Sequence, residues 1–108
     1  MLEALLGSQT ADRVLMYLSV YEEGYPTEIS RVFSLPVSMV QKQLHKFEEA
    51  GILVSRLRGR VRIYGWNPRC PYLEELKQLL DKSHEYLPEN IRDQYYRRRT
   101  RPRKAGKK

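Results

Sequence analysis

The sequence is poor in the residues that bind metals or carry out acid–base chemistry: one cysteine, Cys70, and two histidines, His45 and His84, in 108 residues. A lone thiol excludes an internal disulfide, and no short thiolate pair or histidine cluster offers a metal site. No run of about eighteen apolar residues occurs, so no segment is expected to span a membrane. The start, Met1-Leu-Glu-Ala-Leu-Leu6, lacks the basic leader and long apolar stretch of a secretion signal. A reducing, cytoplasmic setting is the expectation. There is also no glycine-rich phosphate loop, and neither histidine has a nucleophile or carboxylate placed beside it. The carboxylate pairs Glu22-Glu23, Glu48-Glu49 and Glu74-Glu75 are chain neighbours, which diverge on a helix. The chain is therefore not expected to be an enzyme, and no cofactor or small-molecule ligand is identifiable.

What the sequence does have is positive charge, and it is unevenly placed. The formal net charge is +7. From Pro88 to Lys108 there are nine Lys/Arg against two Asp/Glu, whereas Met1–Leu87 holds eleven of each sign. The chain divides on this basis into a neutral body, 1–87, and a basic tail, 88–108, with Pro88 as the boundary. Ile91 and Tyr95 can support a further helical turn or two. Beyond them the tail has too little to bury and is expected to be mobile. Arg97, Arg98, Arg99, Arg101, Arg103 and Lys104 would contact nucleic acid, the usual partner of a polybasic segment; a solvated tail with no dedicated partner is the alternative.

Within the body, apolar spacing predicts four helices and one hairpin. Ser8 caps a helix with Ala11, Val14, Leu15 and Leu18 on one stripe, ending at Gly24. Glu22-Glu23-Gly24-Tyr25-Pro26 reads as a turn. Thr27 caps a short second helix with Ile29, Val32 and Phe33 inward, interrupted by Ser34-Leu35-Pro36. A third helix runs from about Val37 to Ala50 on a Val40, Leu44, Phe47 stripe, with Gly51 as its left-handed stop. Ile52-Leu53-Val54 opens a strand that Gly59 turns back through Val61, Ile63 and Tyr64, and Asn67-Pro68 closes the hairpin. After Pro71, a suitable first helical residue, Tyr72, Leu73, Leu76, Leu79, Leu80 and Ser83 mark a fourth helix.

Helix, short turn, helix and hairpin make a mainly α fold with a small β-hairpin: a winged helix-turn-helix. At 100° per residue, the side of the third helix opposite its buried stripe carries Ser38, Lys42, His45 and Glu49, flanked by Gln41 and Lys46. Most are the short-polar, amide and cationic types that read base edges and phosphates. In the hairpin, "SRLRGRVRIY" sets arginine at alternate positions around Gly59. With Arg58-Gly59-Arg60 as the tip, Leu57 pairs with Val61 and Arg56 with Arg62. Leu57, Val61 and Ile63 then face the body, and Arg56 and Arg62 oppose each other on the outside. Such a pair repels unless a phosphate backbone lies alongside. A charged, solvated edge hairpin is the plainer alternative. Trp66 and the eight tyrosines could stack bases, although Trp66 at the hairpin end is better placed for packing. Cys70 reads as a small residue beside the hairpin exit, and His84 as a cation for the helix dipole.

The stretches "GSQTADRVLMYL", "TEISRVFSLPVSMVQKQLHKFEEAGIL" and "VSRLRGRVRIYGWNP" resemble winged-helix transcription regulators of the arsenic-repressor (ArsR-like) type, over Ser8 to about Leu80. The resemblance implies a third helix that reads the major groove, a wing on the flanking backbone, and a two-fold dimer through the first and last helices. Carried over, Val37, Ser38, Gln41, Lys42 and His45 are recognition positions, and Arg58 and Arg60 wing positions. Two departures stand out. Pro36 replaces the usual capping serine, leaving Ser38 or the backbone to compensate, and the cysteine or histidine–carboxylate ligands of the metal-sensing members are missing.

The expectation is thus a sequence-specific, double-stranded DNA-binding transcriptional regulator, a dimeric repressor. Its DNA contacts would be Val37, Ser38, Gln41, Lys42, His45 and Lys46 on the helix, and Arg56, Arg58, Gly59, Arg60 and Arg62 on the wing. The homodimer would form through a long last helix, with Leu2, Leu5, Leu6, Tyr72, Leu73, Leu76, Leu79 and Leu80 at the interface. The alternative is a winged-helix interaction module in a larger complex, with a nucleic-acid-binding basic tail.

Overall fold

The structure, a computed structural model, describes residues 2–96. Six helices and three strands follow one another as α1 (Glu3–Leu6), α2 (Gln9–Tyr21), β1 (Glu23–Gly24), α3 (Pro26–Phe33), α4 (Val37–Glu49), β2 (Leu53–Arg58), β3 (Val61–Trp66), α5 (Leu73–Glu85) and α6 (Glu89–Ile91). A π-helical turn over Arg92–Tyr96 ends the described chain. This is a winged helix-turn-helix: α3 and α4 form the helical pair, β2 and β3 the wing. The tail residues Arg97, Arg98, Arg99, Arg101, Arg103 and Lys104 lie outside the described residues.

The α2 helix is the centre of the molecule. Ser8 caps it, its Oγ accepting from the Ala11 N–H at 3.0 Å. Ala11, Val14, Leu15 and Leu18 are almost wholly buried, in one core with Ile29, Phe33, Val40, Leu44, Phe47, Leu53, Tyr64 and Leu80. The helix ends at Tyr21, three residues before the expected glycine, because Glu22 adopts φ 72° and turns the chain out. The next two residues form β1, so the segment expected to be only a turn contributes a third strand, in the order β1-β3-β2. Gly24 is needed there: a Cβ on it would stand 2.7 Å from Tyr17 Cε1.

At α3 the cap differs from expectation. Tyr25 occupies the N-cap, Pro26 the first turn, and Thr27 lies inside the helix. Ile29 and Phe33 are buried, but Val32 is exposed, because it lies on the flank of so short a helix. Ser34 at φ 56° ends it, the Leu35 N–H returns to the Ser30 carbonyl at 3.0 Å, and Ser30 Oγ donates to the Leu35 carbonyl. These bonds fix the turn between the two helices.

Packing continues past Pro88. Tyr21 Oη donates to the Tyr95 carbonyl at 3.1 Å, the Tyr95 and Tyr96 rings lie 5.1 and 5.6 Å from Phe33, and the Arg13 guanidinium sits over Phe33 and Tyr95. Tyr96 is buried, and Leu87 and Ile91 also join the core. Charge separates body from tail near residue 88, whereas the aromatic packing runs on to Tyr96. The last long helix begins at Leu73, after Pro71 and the N-cap Tyr72.

Candidate nucleic-acid interface

The α4 helix buries Val40, Leu44 and Phe47 against α2 and the sheet and leaves its other side open. Val37, Ser38, Gln41, Lys42, His45 and Lys46 are all exposed. Five of them, Ser38, Gln41, Lys42, His45 and Lys46, border one shallow depression with Gln43 and Glu49. The predicted helix residues are thus brought together, though not all equally. Lys46 reaches back, its Nζ 3.5 Å from the Leu6 carbonyl and 5.0 Å from the Phe47 ring centroid. Met39 is also exposed, an apolar side chain on the open half of the helix that its place beside the buried stripe had hidden. No side chain caps α4. The Pro36 carbonyl accepts from the Met39 and Val40 N–H groups, so the backbone compensates for the missing serine.

At the far end of α4, Gly51 adopts φ 81° and the Ile52 N–H bonds the Phe47 carbonyl, which turns the chain into the wing. Asn67 closes the base: its Nδ2 donates to the Gly51 carbonyl at 2.8 Å and its N–H to the Ile52 carbonyl. Trp66 belongs to the packing, its Nε1 donating to the Leu18 carbonyl at 3.2 Å.

The wing's register differs by one residue from that expected. Arg58 pairs with Val61, Leu57 with Arg62 and Arg56 with Ile63. The loop is the pair Gly59-Arg60, with positive φ only at Gly59, the pattern of a type II′ turn, where a three-residue tip was expected. A slip of one residue exchanges the faces of one strand relative to the other. Arg56 and Arg62 therefore do not oppose each other, and Leu57 does not share a face with Val61 and Ile63; out near the wing tip it is 63% exposed. Tyr64 and Leu53 are the buried residues of the face that meets α4, and Ile63 is buried on the opposite face.

The four arginines consequently fall into three situations. Arg62 lies on the face that meets α4, where Nη1 donates to Ser55 Oγ at 3.0 Å and Ser55 Oγ donates to Glu48 Oε2 of α4 at 2.6 Å. The His45 and Tyr64 rings, 6.3 Å apart, make a second contact between helix and wing on this side. Burial, and then the nearby Glu48 carboxylate, raise the Tyr64 hydroxyl above its ordinary pKa. Arg56 and Arg58 lie on the other face, both against Glu23 of β1. Arg60 sits at the tip, with no ion pair among the described residues. Ser55, Glu48 and Glu23 were not legible as site residues, since their roles depend on the register and on β1.

Of the interface residues expected for a dimer, Leu2 and Leu80 are core residues of the single chain and Leu76 packs partly against that core. Leu80 is fully covered by its own chain, which removes it from any interface. Leu5, Tyr72 and Leu79 are exposed, and Leu6 and Leu73 are half-buried. Tyr86, which the sequence did not single out, is 65% exposed and lies seven residues beyond Leu79, itself seven beyond Tyr72. His84 does not serve as a dipole cation: burial, and then Arg92, lower its pKa below the ordinary value and favour the neutral ring. Among the described residues, no three His, Cys, Asp or Glu side chains gather as metal ligands would, and no helix is long and apolar enough to cross a membrane.

No protein-family model matches the chain, and no curated protein matches it by sequence. Solved structures match by fold. A mutant of Lactococcus lactis ZitR superposes with a TM-score of 0.54 at 15% identity, covering 80% of this chain and 66% of that one. The apo form of that mutant gives 0.54 at 14%, covering 79% and 73%. A transcriptional regulator (MarR family) from Rhodococcus sp. RHA1 gives 0.54 at 16%, covering 85% and 71%. The chain thus spans just under two thirds of the first ZitR chain. These likenesses establish the winged-helix fold.

Proposed function

We propose that this chain is a sequence-specific regulator of transcription that binds double-stranded DNA. In this proposal α4 enters the major groove, Val37, Ser38, Gln41, Lys42 and His45 meet the bases, and Arg60 and Arg62 of the wing meet the flanking backbone or minor groove. The observation that carries it is the join between helix and wing. The Glu48–Ser55–Arg62 chain puts an arginine of the wing on the side of the sheet that meets α4, so both can address one duplex. The uncovered polar face of α4 supports the same function, as does the likeness in fold to a protein described as a transcriptional regulator.

The finer parts of the proposal are a repressor of the arsenic-repressor type, cytoplasmic and without catalytic activity, acting as a homodimer. Exposed Leu79 on α5, with the exposed cap residues Tyr72 and Tyr86 at its two ends, supports self-association. A two-fold dimer would set two α4 helices about one turn of DNA apart, suited to an inverted repeat. A strict monomer in sedimentation at micromolar concentration would remove the dimer.

Selection from a random duplex pool tests the function. Enrichment of one motif is expected, and Gln41→Ala and Lys42→Ala should each lower discrimination between bound and unbound motifs by about 1–3 kcal/mol. A pool that yields no motif would overturn sequence-specific binding.

A further inference from the structure

Two of the four wing arginines end on a single carboxylate. Arg56 Nη2 lies 3.1 Å from Glu23 Oε1, and Arg58 Nη2 lies 3.7 Å from Glu23 Oε2. The sheet makes this possible. Glu23 pairs with Gly65 on β3, and Gly65 pairs in turn with Val54 on β2, so all three positions share one face. Arg56 and Arg58 follow Val54 at two-residue steps on that face. Gly65 has no side chain, which leaves a path over β3 from Glu23 toward the arginines. The two arginine side chains are 55% and 62% exposed and that of Glu23 43%. Ion pairs so wet are weak. A phosphate backbone beside the wing is dense enough in charge to compete with them.

We propose that Glu23 is an internal competitor for nucleic-acid phosphate. It holds Arg56 and Arg58 away from the duplex and so limits binding that does not depend on sequence. The inference rests on the duplex-binding function proposed above and assigns a control to the same surface. Arg62 and Arg60 are the wing's standing contacts, one bonded toward α4 and one at the tip. Arg56 and Arg58 are held in reserve on the other face and reach phosphate only by leaving Glu23. Because the electrostatic part of binding is the part shared by all sequences, restraining two cations lowers affinity for every duplex and so reduces retention on random sequence, where that part is nearly all there is.

The test is binding of the full chain to random-sequence duplex by fluorescence anisotropy, between about 50 and 200 mM salt. Glu23→Gln should raise affinity about five-fold at the low end, from loss of weak pairs and gain of phosphate contacts. The slope of log K against log salt should steepen by about 0.9 to 1.8, as one or two more phosphates are neutralised. In an Arg56→Gln/Arg58→Gln background the same substitution should change neither quantity. Unchanged affinity and slope in an otherwise wild-type chain that does bind would overturn the role of Glu23 alone. An equal gain in both backgrounds would also overturn it, assigning the effect to bulk charge. A wild-type chain that retains no duplex at low salt would overturn the duplex-binding function and this inference together.

Discussion

Arg62 and Ser55 meet diagonally across the wing, Nη1 to Oγ at 3.0 Å, and the same oxygen donates its hydrogen to Glu48 on α4. One hydroxyl thus joins the arginine of one strand to the helix before the other. Ser55→Ala should leave the core intact and cost about 1 kcal/mol of stability, the net worth of an ordinary hydrogen bond. Affinity for the selected duplex should fall several-fold, because helix and wing are no longer held to one arrangement. Denaturant unfolding and anisotropy on the same samples check both.

Gly24 and Gly65 are neighbours in the sheet with opposite tolerances. A Cβ at Gly24 meets the buried Tyr17 ring at 2.7 Å, whereas one at Gly65 meets the Glu22 carbonyl oxygen at 3.6 Å, an ordinary contact. Gly24→Ala is expected to destabilise by about 1–3 kcal/mol through overpacking. Gly65→Ala should stay within about 0.5 kcal/mol. Urea unfolding of the two variants reads the difference.

Acid should weaken the fold through His84. Its folded pKa lies below the ordinary 6.5 because the ring is partly buried and Arg92 is near, against smaller opposing effects from Asp81 and Glu85. Above 6.5 the ring is neutral in both states and contributes no pH dependence. As pH falls through 6.5, the unfolded chain takes up a proton that the folded chain resists, so stability declines until the folded pKa is reached. His84→Gln should flatten the part of a stability–pH profile that lies below about pH 7. Asp12 works in the opposite direction at lower pH, since burial raises its carboxyl above the usual 3.8 and protonation then favours the folded state.

Two truncations separate the tail from the body. Ending the chain after Tyr96 removes the arginine-rich segment and should weaken duplex binding at low salt and flatten its salt dependence, with the preferred motif and the unfolding midpoint unchanged. Ending it after Leu87 also strips Tyr95 and Tyr96 from Phe33, and should lower stability by about 3 kcal/mol or more, as loss of a buried aromatic does. Thermal melts of the two chains distinguish these outcomes.

Much of this architecture was legible in the sequence because local signals and burial agree. Ser8 caps where the Val14, Leu15, Leu18 stripe begins, and Val40, Leu44 and Phe47 define the inner side of α4 and, by subtraction, its open side. The hairpin was legible as a hairpin, but its register was not. Alternating arginines mark two faces without saying which residue of one strand meets which of the other, and a two-residue Gly59-Arg60 loop moves the pairing by one. β1 was hidden because two residues carry no periodicity, and with it went the partner of Arg56 and Arg58. Leu80 and Leu2 read as interface because a leucine stripe looks the same whether its own chain or another covers it.

The proposed use of α4 and the wing on one duplex is most directly tested by amide NMR of the chain titrated with its selected duplex. Shifts should gather in α4, over Val37 to Lys46, and in Gly59 to Arg62, and appear together at the same DNA ratio. Shifts confined to α5 and the segment after it, with α4 and the wing tip silent, would contradict it.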